Sequence, residues 1–317
     1  MAEIQLHRTA LRIGTRASKL ARWQADWVAA QLRDRGSVVE IVELATRGDT
    51  DASTPIADIG APGVFTKAIQ NALLAGDVDL AVHSLKDLPT DVVEGLVLAA
   101  VPVRESAADV LVAKEFTTLT NLPKGARVGT GSLRRQAQLR HLRPDLCVSE
   151  VRGNVDTRLR KLDEGDCDAL ILAEAGMKRL GLSNRITQVL SRDVMLPAVG
   201  QGALGIECRA EDARAQAEIQ LLDDWASRVG VMAERALLAH LRGGCLAPIG
   251  AWGLLENGRA QLSAVALDAE GTQRIEASYG AEVSDVRDAE ALGRLVADAL
   301  LAQGALELIA TSREGQR

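Results

Sequence analysis

Arginines concentrate in the middle of this chain, although its formal net charge is −6. Eight of them fall between Arg127 and Arg160, and Arg134 and Arg135 directly follow the turn Gly129-Thr130-Gly131-Ser132. A glycine-rich turn that opens a helix presents backbone N–H groups and the positive helix end to an anion. Guanidinium groups bind planar carboxylates and phosphates through paired hydrogen bonds. This segment therefore predicts a binding site for a planar anion.

Two further junctions between a strand and a helix carry the same residue types. Arg152-Gly153-Asn154 follows an expected strand, with Arg158 one turn into the next helix, and Arg16 precedes Ser18 at an earlier helix start. Three such junctions favour a ligand with several carboxylates over an ordinary solvated surface. A nucleotide ligand is disfavoured, because the third glycine of a dinucleotide-binding motif is missing and no P-loop motif occurs.

The pair Lys86-Asp87 follows an apolar segment that ends near His83. One interpretation is a surface ion pair, which contributes little to stability. The other is a carboxylate that stays ionised beside a cation and stabilises a cationic intermediate or moves a proton. We expect His83 to pack at the end of the strand rather than to catalyse.

Cys245 lies in a different setting from the other cysteines. Gly243 and Gly244 precede it and leave room for large groups to approach its sulfur, and Pro248 stiffens the following segment. No C-x-x-C pair occurs, and no metal-ligand pattern surrounds this cysteine. Cys245 is therefore a candidate nucleophile or a point of covalent attachment.

Alternating strands and helices must position these residues. The pattern up to about residue 180 predicts two similar α/β units with mostly parallel sheets, and strands at Met195–Gly200 and Ala203–Cys208 are expected to link them. Turn signals at Asn257-Gly258 and Glu270-Gly271 then indicate antiparallel hairpins, followed by a long helix. Since ligands of open parallel sheets bind at the carboxyl ends of strands, we expect the ligand between the two α/β lobes.

Composition restricts the class of protein. A length of 317 residues suggests two or three domains, and an aromatic content of 2% argues against a platform for single-stranded nucleic acid. The longest apolar run, Leu96–Val103, is too short to span a bilayer. With neither a secretion signal nor a need for disulfides, a reducing cytoplasm is the expected setting.

Five motifs together resemble those of the porphobilinogen deaminase (hydroxymethylbilane synthase) family. They are AVHSLKDLP, VGTGSLRRQAQL, VRGNVDTRL, LPAVGQGALGIECR and GGCLAPIG. They occur in the family's order, and the resemblance covers essentially the whole chain. It implies an α/β fold of two lobes like periplasmic binding proteins with crossing connections, plus a small α+β C-terminal domain with a three-stranded antiparallel sheet. The implied domains are 1–102 plus about 200–220, 103–199, and 221–317, the last carrying the cofactor cysteine.

The resemblance also implies an activity in haem biosynthesis, in which four porphobilinogen molecules are joined head to tail into hydroxymethylbilane with release of ammonia. The chain grows on a dipyrromethane cofactor held through a thioether at Cys245, and Asp87 is the implied catalytic residue. Cofactor binding is implied for Lys86, Thr130, Ser132, Arg134, Arg135 and Arg158. Substrate binding is implied for Arg16, Ser18, Phe65, Arg152, Gly153, Asn154, Arg179 and Gln201. No metal, nucleic acid or membrane partner is implied, and the resemblance implies a monomer.

Two rival functions remain to be compared. A non-catalytic binding protein for polycarboxylate ligands would explain the lobes and the arginines but would leave Asp87 and Cys245 without roles. An arginine-rich nucleic-acid binder would need a basic face and aromatic side chains, and the sequence indicates neither.

Overall fold

The computed structural model describes residues 10–44, 64–242 and 247–314. The chain divides into two units: Met1–Val103 with Leu204–Asp224, and Arg104–Ala203 with Trp225–Arg317. The backbone therefore passes from one unit to the other three times. Among the described residues, no helix is long and apolar enough to cross a membrane.

The elements alternate between strand and helix through most of the chain. The strands are β1 (Leu11–Thr15), β2 (Val39–Glu43), β3 (Leu80–Ser84), β4 (Leu96–Ala100), β5 (Asp109–Ala113), β6 (Arg127–Gly129), β7 (Cys147–Ser149), β8 (Ala169–Ala173), β9 (Gln188–Val189), β10 (Leu204–Arg209), β11 (Ile249–Glu256), β12 (Arg259–Leu267) and β13 (Arg274–Glu282). The α-helices are α1 (Lys19–Asp34), α2 (Val64–Ala75), α3 (Leu133–Leu142), α4 (Val155–Glu164), α5 (Glu174–Arg179), α6 (Ala213–Gln220), α7 (Trp225–His240), α8 (Val286–Leu301) and α9 (Ala305–Glu314).

The first unit is built on a sheet of order β2-β1-β3-β10-β4. β1 is parallel to β2 and β3, whereas β10 is antiparallel to β3 and β4. Neighbouring residues of β3 face opposite sides, so Leu80 packs with Val28 of α1, while Ala81 packs with Leu73 of α2. Both faces are thus buried, which explains why the strand reads as a continuous apolar run.

The second unit contains a sheet of the same design, with order β7-β6-β8-β5-β9. β6 is parallel to β7 and β8, and β5 is antiparallel to β8 and β9. In each sheet only the fourth strand, β10 or β5, runs against the other four, and it is the first strand after a crossing between the units. The prediction of mostly parallel sheets is therefore confirmed, with one reversed strand in each sheet.

The C-terminal part of the second unit is an antiparallel sheet of order β11-β12-β13. Asn257 and Gly258 have φ values of 51° and 78°, as a tight hairpin turn with two left-handed residues requires. Side chains of α8 such as Leu292 and Val296 pack in the same core as Leu262 of β12. The predicted fold class, two α/β lobes with crossing connections plus an α+β domain, is confirmed. The three domain boundaries stay a prediction, since the second unit holds two of the three sheets.

The segment Met195–Gly200 was wrongly predicted as a strand. Leu196 N donates to Gln138 Oε1 (2.8 Å), and the Leu196 carbonyl accepts from Gln138 Nε2 (3.0 Å). One buried side-chain amide therefore satisfies both backbone groups that a neighbouring strand would otherwise bind. The apolar residues of this segment are buried without belonging to a sheet.

Candidate functional site

Four of the predicted site residues lie at one edge of the first unit's sheet. β1 is followed by Arg16 and by Ser18, whose hydroxyl caps α1. β3 is followed by a short 3₁₀ turn that contains Lys86 and Asp87. Since β1 and β3 are parallel neighbours, their carboxyl ends meet at the same edge. The fold therefore brings these four residues to the position where open α/β sheets bind ligands.

Exposure distinguishes Asp87 from His83. The Asp87 side chain is exposed and Lys86 is half-buried, whereas His83 is buried within the sheet. His83 Nε2 lies 3.0 Å from Glu207 Oε2, although the two atoms are not aligned for a hydrogen bond. Gln70 Nε2 donates to both oxygens of the same carboxylate (3.0 and 3.2 Å). The expectation that His83 packs at the end of the strand is confirmed, and Asp87 has the accessibility that a catalytic group needs.

In the second unit, the arginine-bearing junctions also share one sheet edge. β6 is followed by Thr130 and Ser132, and its parallel neighbour β7 is followed by Arg152, Gly153 and Asn154. Asn154 Oδ1 accepts a hydrogen bond from the backbone of α4 (2.9 Å), so this residue caps the helix as its type predicts. Gly153 has a φ of 115°, a conformation that favours glycine.

Arg134 and Arg135 are buried in the first turns of α3, where both bind Asp109. Arg134 Nη1 donates to Asp109 Oδ2 (2.7 Å), and Arg135 donates to Asp109 Oδ1 through Nη2 (2.8 Å) and Nε (3.0 Å). The Asp109 side chain is 0% exposed. The chain itself thus supplies the anion that relieves the unfavourable placement of two cations at a helix start.

Sequence reasoning missed Asp109, and the antiparallel direction of β5 explains its position. Asp109, the first residue of β5, pairs with Ala173, the last residue of β8. A parallel β5 would have put this carboxylate at the opposite edge of the sheet, away from α3. One feature of the sequence could have indicated this residue: Asp109 begins a strand whose other residues are all apolar.

The electrostatics of this cluster leave it with a surplus of positive charge. Burial alone would raise the pKa of Asp109, but Arg134 and Arg135 outweigh burial and lower that pKa to about 2. Burial lowers the pKa of Arg134, and its neighbour Arg135 acts in the same direction. Two guanidinium groups share one carboxylate here, and the buried Arg134 Nε has no hydrogen-bond partner among the described residues. The two arginines and Asp109 together therefore carry one net positive charge.

The other predicted site residues of the second unit donate hydrogen bonds to groups of the protein itself. Gln201 is buried and donates to Asp109 Oδ1 (2.8 Å) and to a backbone carbonyl, so it orients the carboxylate. Arg179 is half-buried and donates to the Gly202 carbonyl (2.6 Å). Arg158 donates to the Gly153 carbonyl (2.8 Å).

Arg152 lies at the surface, where it pairs with Glu150 at 2.6 Å. The hydrogen bond that Arg152 donates to this carboxylate raises the pKa of Arg152. Both side chains are about half exposed (48% each), so the pair contributes little stability and is easily exchanged for another carboxylate.

Two predictions fall outside what the structure describes. Cys245 lies in the segment 243–246, and the side chain of Phe65 is not described, although its backbone belongs to α2. The three cysteines that are described, Cys147, Cys167 and Cys208, are free thiols. Burial raises the pKa of Cys208 to about 11, so this thiol stays protonated as expected for a packing residue.

Comparison with known proteins gives consistent matches along the chain. Residues 11–217 match the family model described as "Porphobilinogen deaminase, dipyromethane cofactor binding domain", and residues 229–302 match "Porphobilinogen deaminase, C-terminal domain". The porphobilinogen deaminase of Desulforudis audaxviator is 50% identical, over 96% of this chain and 98% of its own length. That of Syntrophotalea carbinolica is 47% identical, over 95% and 96%.

Among solved structures, a nutrient-binding protein from Burkholderia cenocepacia bound to methionine has a TM-score of 0.41 at 16% identity, covering 66% of this chain and 90% of its own. Matches of the curated relatives at 47% and 50% identity over nearly the full length are far above what a shared fold alone would give. The chain therefore belongs to the porphobilinogen deaminase family.

Proposed function

We propose that this protein is a hydroxymethylbilane synthase, which joins four porphobilinogen molecules head to tail and releases one ammonia at each addition. The observation that carries the proposal is that both porphobilinogen deaminase domains match, together covering residues 11–217 and 229–302. The rival prediction, a non-catalytic binding protein for polycarboxylates, is not favoured, because the curated relatives are named as enzymes over nearly their full length.

The second unit suits a cofactor that carries several carboxylates. Arg134 and Arg135 share a single counter-ion, and Arg134 Nε is a buried donor without a partner among the described residues. An anionic side chain of the cofactor would satisfy both the charge and the donor. When bound, the dipyrromethane supplies the anchored end to which pyrrole units are added. We propose that it is attached at Cys245 and held by Lys86, Thr130, Ser132, Arg134, Arg135 and Arg158.

The incoming substrate would be held, directly or through a neighbouring group, by residues that follow the strands, together with Phe65 of α2, Arg179 of α5 and Gln201. We assign this role to Arg16, Ser18, Phe65, Arg152, Gly153, Asn154, Arg179 and Gln201. Porphobilinogen carries two carboxylates, so bidentate arginines suit it. Arg152 would exchange its exposed partner Glu150 for a substrate carboxylate at little cost. Gln201 would act through Asp109, which it orients, rather than by direct contact.

Asp87 would carry the chemistry. Loss of ammonia from the aminomethyl group leaves positive charge on the pyrrole of the substrate, and a nearby carboxylate lowers the energy of that charge. Asp87 is exposed at the carboxyl edge of β3, so its carboxylate is accessible to such a ring. After the new carbon–carbon bond forms, the same carboxylate would take up the proton released by the pyrrole carbon at the growing end of the chain.

We further propose that the protein works as a monomer in the cytoplasm, without nucleic acid, membrane or metal. The support is the composition, with 2% aromatic residues and a net charge of −6, which suits neither a nucleic-acid platform nor a basic membrane-binding surface.

The test is to incubate the purified protein with porphobilinogen and to measure substrate consumed, ammonia released and hydroxymethylbilane formed. Asp87→Asn should lower kcat by about 10²- to 10⁴-fold, the range for a lost proton-transfer group. Because the Asp87 side chain is exposed, the Asp87→Asn variant should have the same unfolding temperature as the wild type. Asp91→Asn, at another exposed acid four residues along the chain, should keep wild-type activity. An inactive wild type would refute the proposed function, whereas a fully active Asp87→Asn would refute only the role of Asp87.

A further inference from the structure

A cavity of about 270 Å³ lies in the second unit, and none of the residues assigned to cofactor and substrate lines it. Arg104, Arg192, Ser227 and Trp252 line it, together with residues 253–256 of β11. The lining combines guanidinium groups with the indole ring and two leucines, so it offers both charge and apolar surface.

One wall of this cavity is formed by Arg104, whose position is fixed by hydrogen bonds and whose charge is balanced by Glu234. Arg104 binds both carboxylate oxygens of Glu234 (2.7 and 3.1 Å), and its Nε donates to the Gln201 carbonyl (2.8 Å). Glu234 is fully buried and also accepts from the backbone N–H groups of Gly200 (2.7 Å) and Gly253 (2.8 Å). The charge of Arg104 is therefore compensated, and its position does not depend on a ligand.

Arg192 is different, because it is exposed and no direct partner compensates its charge. Its guanidinium carbon lies 4.0 Å from the centre of the Trp252 ring, and that of Arg104 lies 4.6 Å from the same centre. Within the described part of the chain, Arg192 makes no hydrogen bond and has no carboxylate within ion-pair distance. Burial and the charge of Arg104 both lower the pKa of Arg192, while the exposed Glu256 acts in the opposite direction.

Trp252 supplies the aromatic surface of this cavity. Its Nε1 is buried and has no hydrogen-bond acceptor among the described residues, so a ligand would contact the indole ring rather than this N–H group. A ligand with an apolar body and a single negative charge would therefore match both the ring of Trp252 and the charge of Arg192.

We propose that this cavity binds a small organic monocarboxylate with an aromatic or apolar body. One uncompensated cation calls for one carboxylate, and the indole ring with Leu254 and Leu255 provides contact for the body. The volume is below the 300–1,000 Å³ or so that is usual for drug-sized ligands, which restricts the occupant to a small acid. The lining of this cavity contains none of the residues assigned to the proposed deaminase activity.

Benzoate is a suitable probe for this site, with benzamide as its neutral isostere. The full-length protein, labelled with ¹⁵N at tryptophan indoles, is titrated while the Trp252 signal, assigned by its loss in Trp252→Phe, is followed. Benzoate should shift that signal saturably. Arg192→Gln, or benzamide in place of benzoate, should weaken binding about tenfold or more, as expected when a charge-assisted hydrogen bond is lost.

Two controls separate this site from general charge effects. Arg192→Lys, which keeps the charge, should retain most of the affinity, and Arg294→Gln, at an exposed arginine of α8, should leave it unchanged. The proposal is overturned if benzoate leaves the Trp252 signal unmoved or acts equally on Arg192→Gln. It is also overturned if inorganic phosphate binds as tightly as benzoate, because the apolar body would then contribute nothing.

Discussion

Replacing Asp109 by Asn should destabilise the second unit strongly, although the two side chains have nearly the same shape. Asp109 is 0% exposed and is the shared counter-ion of Arg134 and Arg135, at 2.7 and 2.8 Å. The amide carries no charge, so two buried guanidinium groups would lose their only described carboxylate partner. Removing one member of a buried ion pair costs about 3–5 kcal/mol.

Calorimetry at pH 7 measures this loss most directly. For a unit of 150–250 residues, each kcal/mol shifts the unfolding temperature by about 2–4 °C, so Asp109→Asn should lower it by about 6–20 °C. Asp163→Asn is the matched control, because Asp163 pairs with Arg185 at 2.7 Å on the surface. That exposed pair contributes about 1 kcal/mol or less to the free energy of unfolding.

The same substitution has a defined pH dependence. The pKa of Asp109 is about 2 in the folded protein and 3.8 ordinarily. A lowered pKa stabilises the folded state above the ordinary value and ceases to do so as the pH falls through the folded value. The difference between wild type and Asp109→Asn should therefore shrink between pH 4 and 2. If Asp109→Asn and Asp163→Asn lower the unfolding temperature by the same amount at pH 7, the assignment of Asp109 as the buried counter-ion is wrong.

Two further predictions concern packing and acid stability. Gly253→Ala should destabilise by about 1–3 kcal/mol or more, since overpacking has that cost and the new Cβ would lie 2.3 Å from the Gly230 carbonyl oxygen of α7. Urea titration of both variants measures this loss. Gly280→Ala should lower the free energy of unfolding less than Gly253→Ala does, because its new Cβ meets the movable Arg259 side chain at 3.1 Å. Asp79 is partly buried against Arg12 and Arg209, which lower its pKa to about 2 despite burial. The first unit should therefore lose stability as the pH falls from about 4 to 2, and Asp79→Asn should remove that part of the acid transition; an unchanged transition would contradict this.

Local features of this fold could be predicted from the sequence because neighbouring residues determine them. Asn154 and Ser18 cap the helices that their positions indicated, and Asn257-Gly258 forms the expected hairpin turn. The buried strands, such as Leu80–Ser84, read as apolar runs because both of their faces are covered. The carboxyl edge of each sheet then follows from the parallel pairing of consecutive strands.

Features that depend on distant partners could not be predicted in this way. Nothing near Asp109 indicates that β5 runs antiparallel to β8, and this direction alone brings the carboxylate to α3. Arg134 and Arg135 were expected to bind carboxylates of a ligand, which stays a prediction, and the sequence did not indicate that both also bind Asp109. Similarly, the apolar segment around Leu196 has no strand partner because the Gln138 side chain takes that place.

The intact mass of the purified protein tests the central claim most directly. If the chain is a hydroxymethylbilane synthase that carries dipyrromethane on Cys245, the wild type is heavier than its sequence by two pyrrole units, and Cys245→Ser has the mass of the bare sequence and no activity. Cys245→Ser should nevertheless fold, since its apoprotein keeps the packed cores of both units. An active wild type with unmodified mass, or an adduct that persists in Cys245→Ser, would contradict the claim.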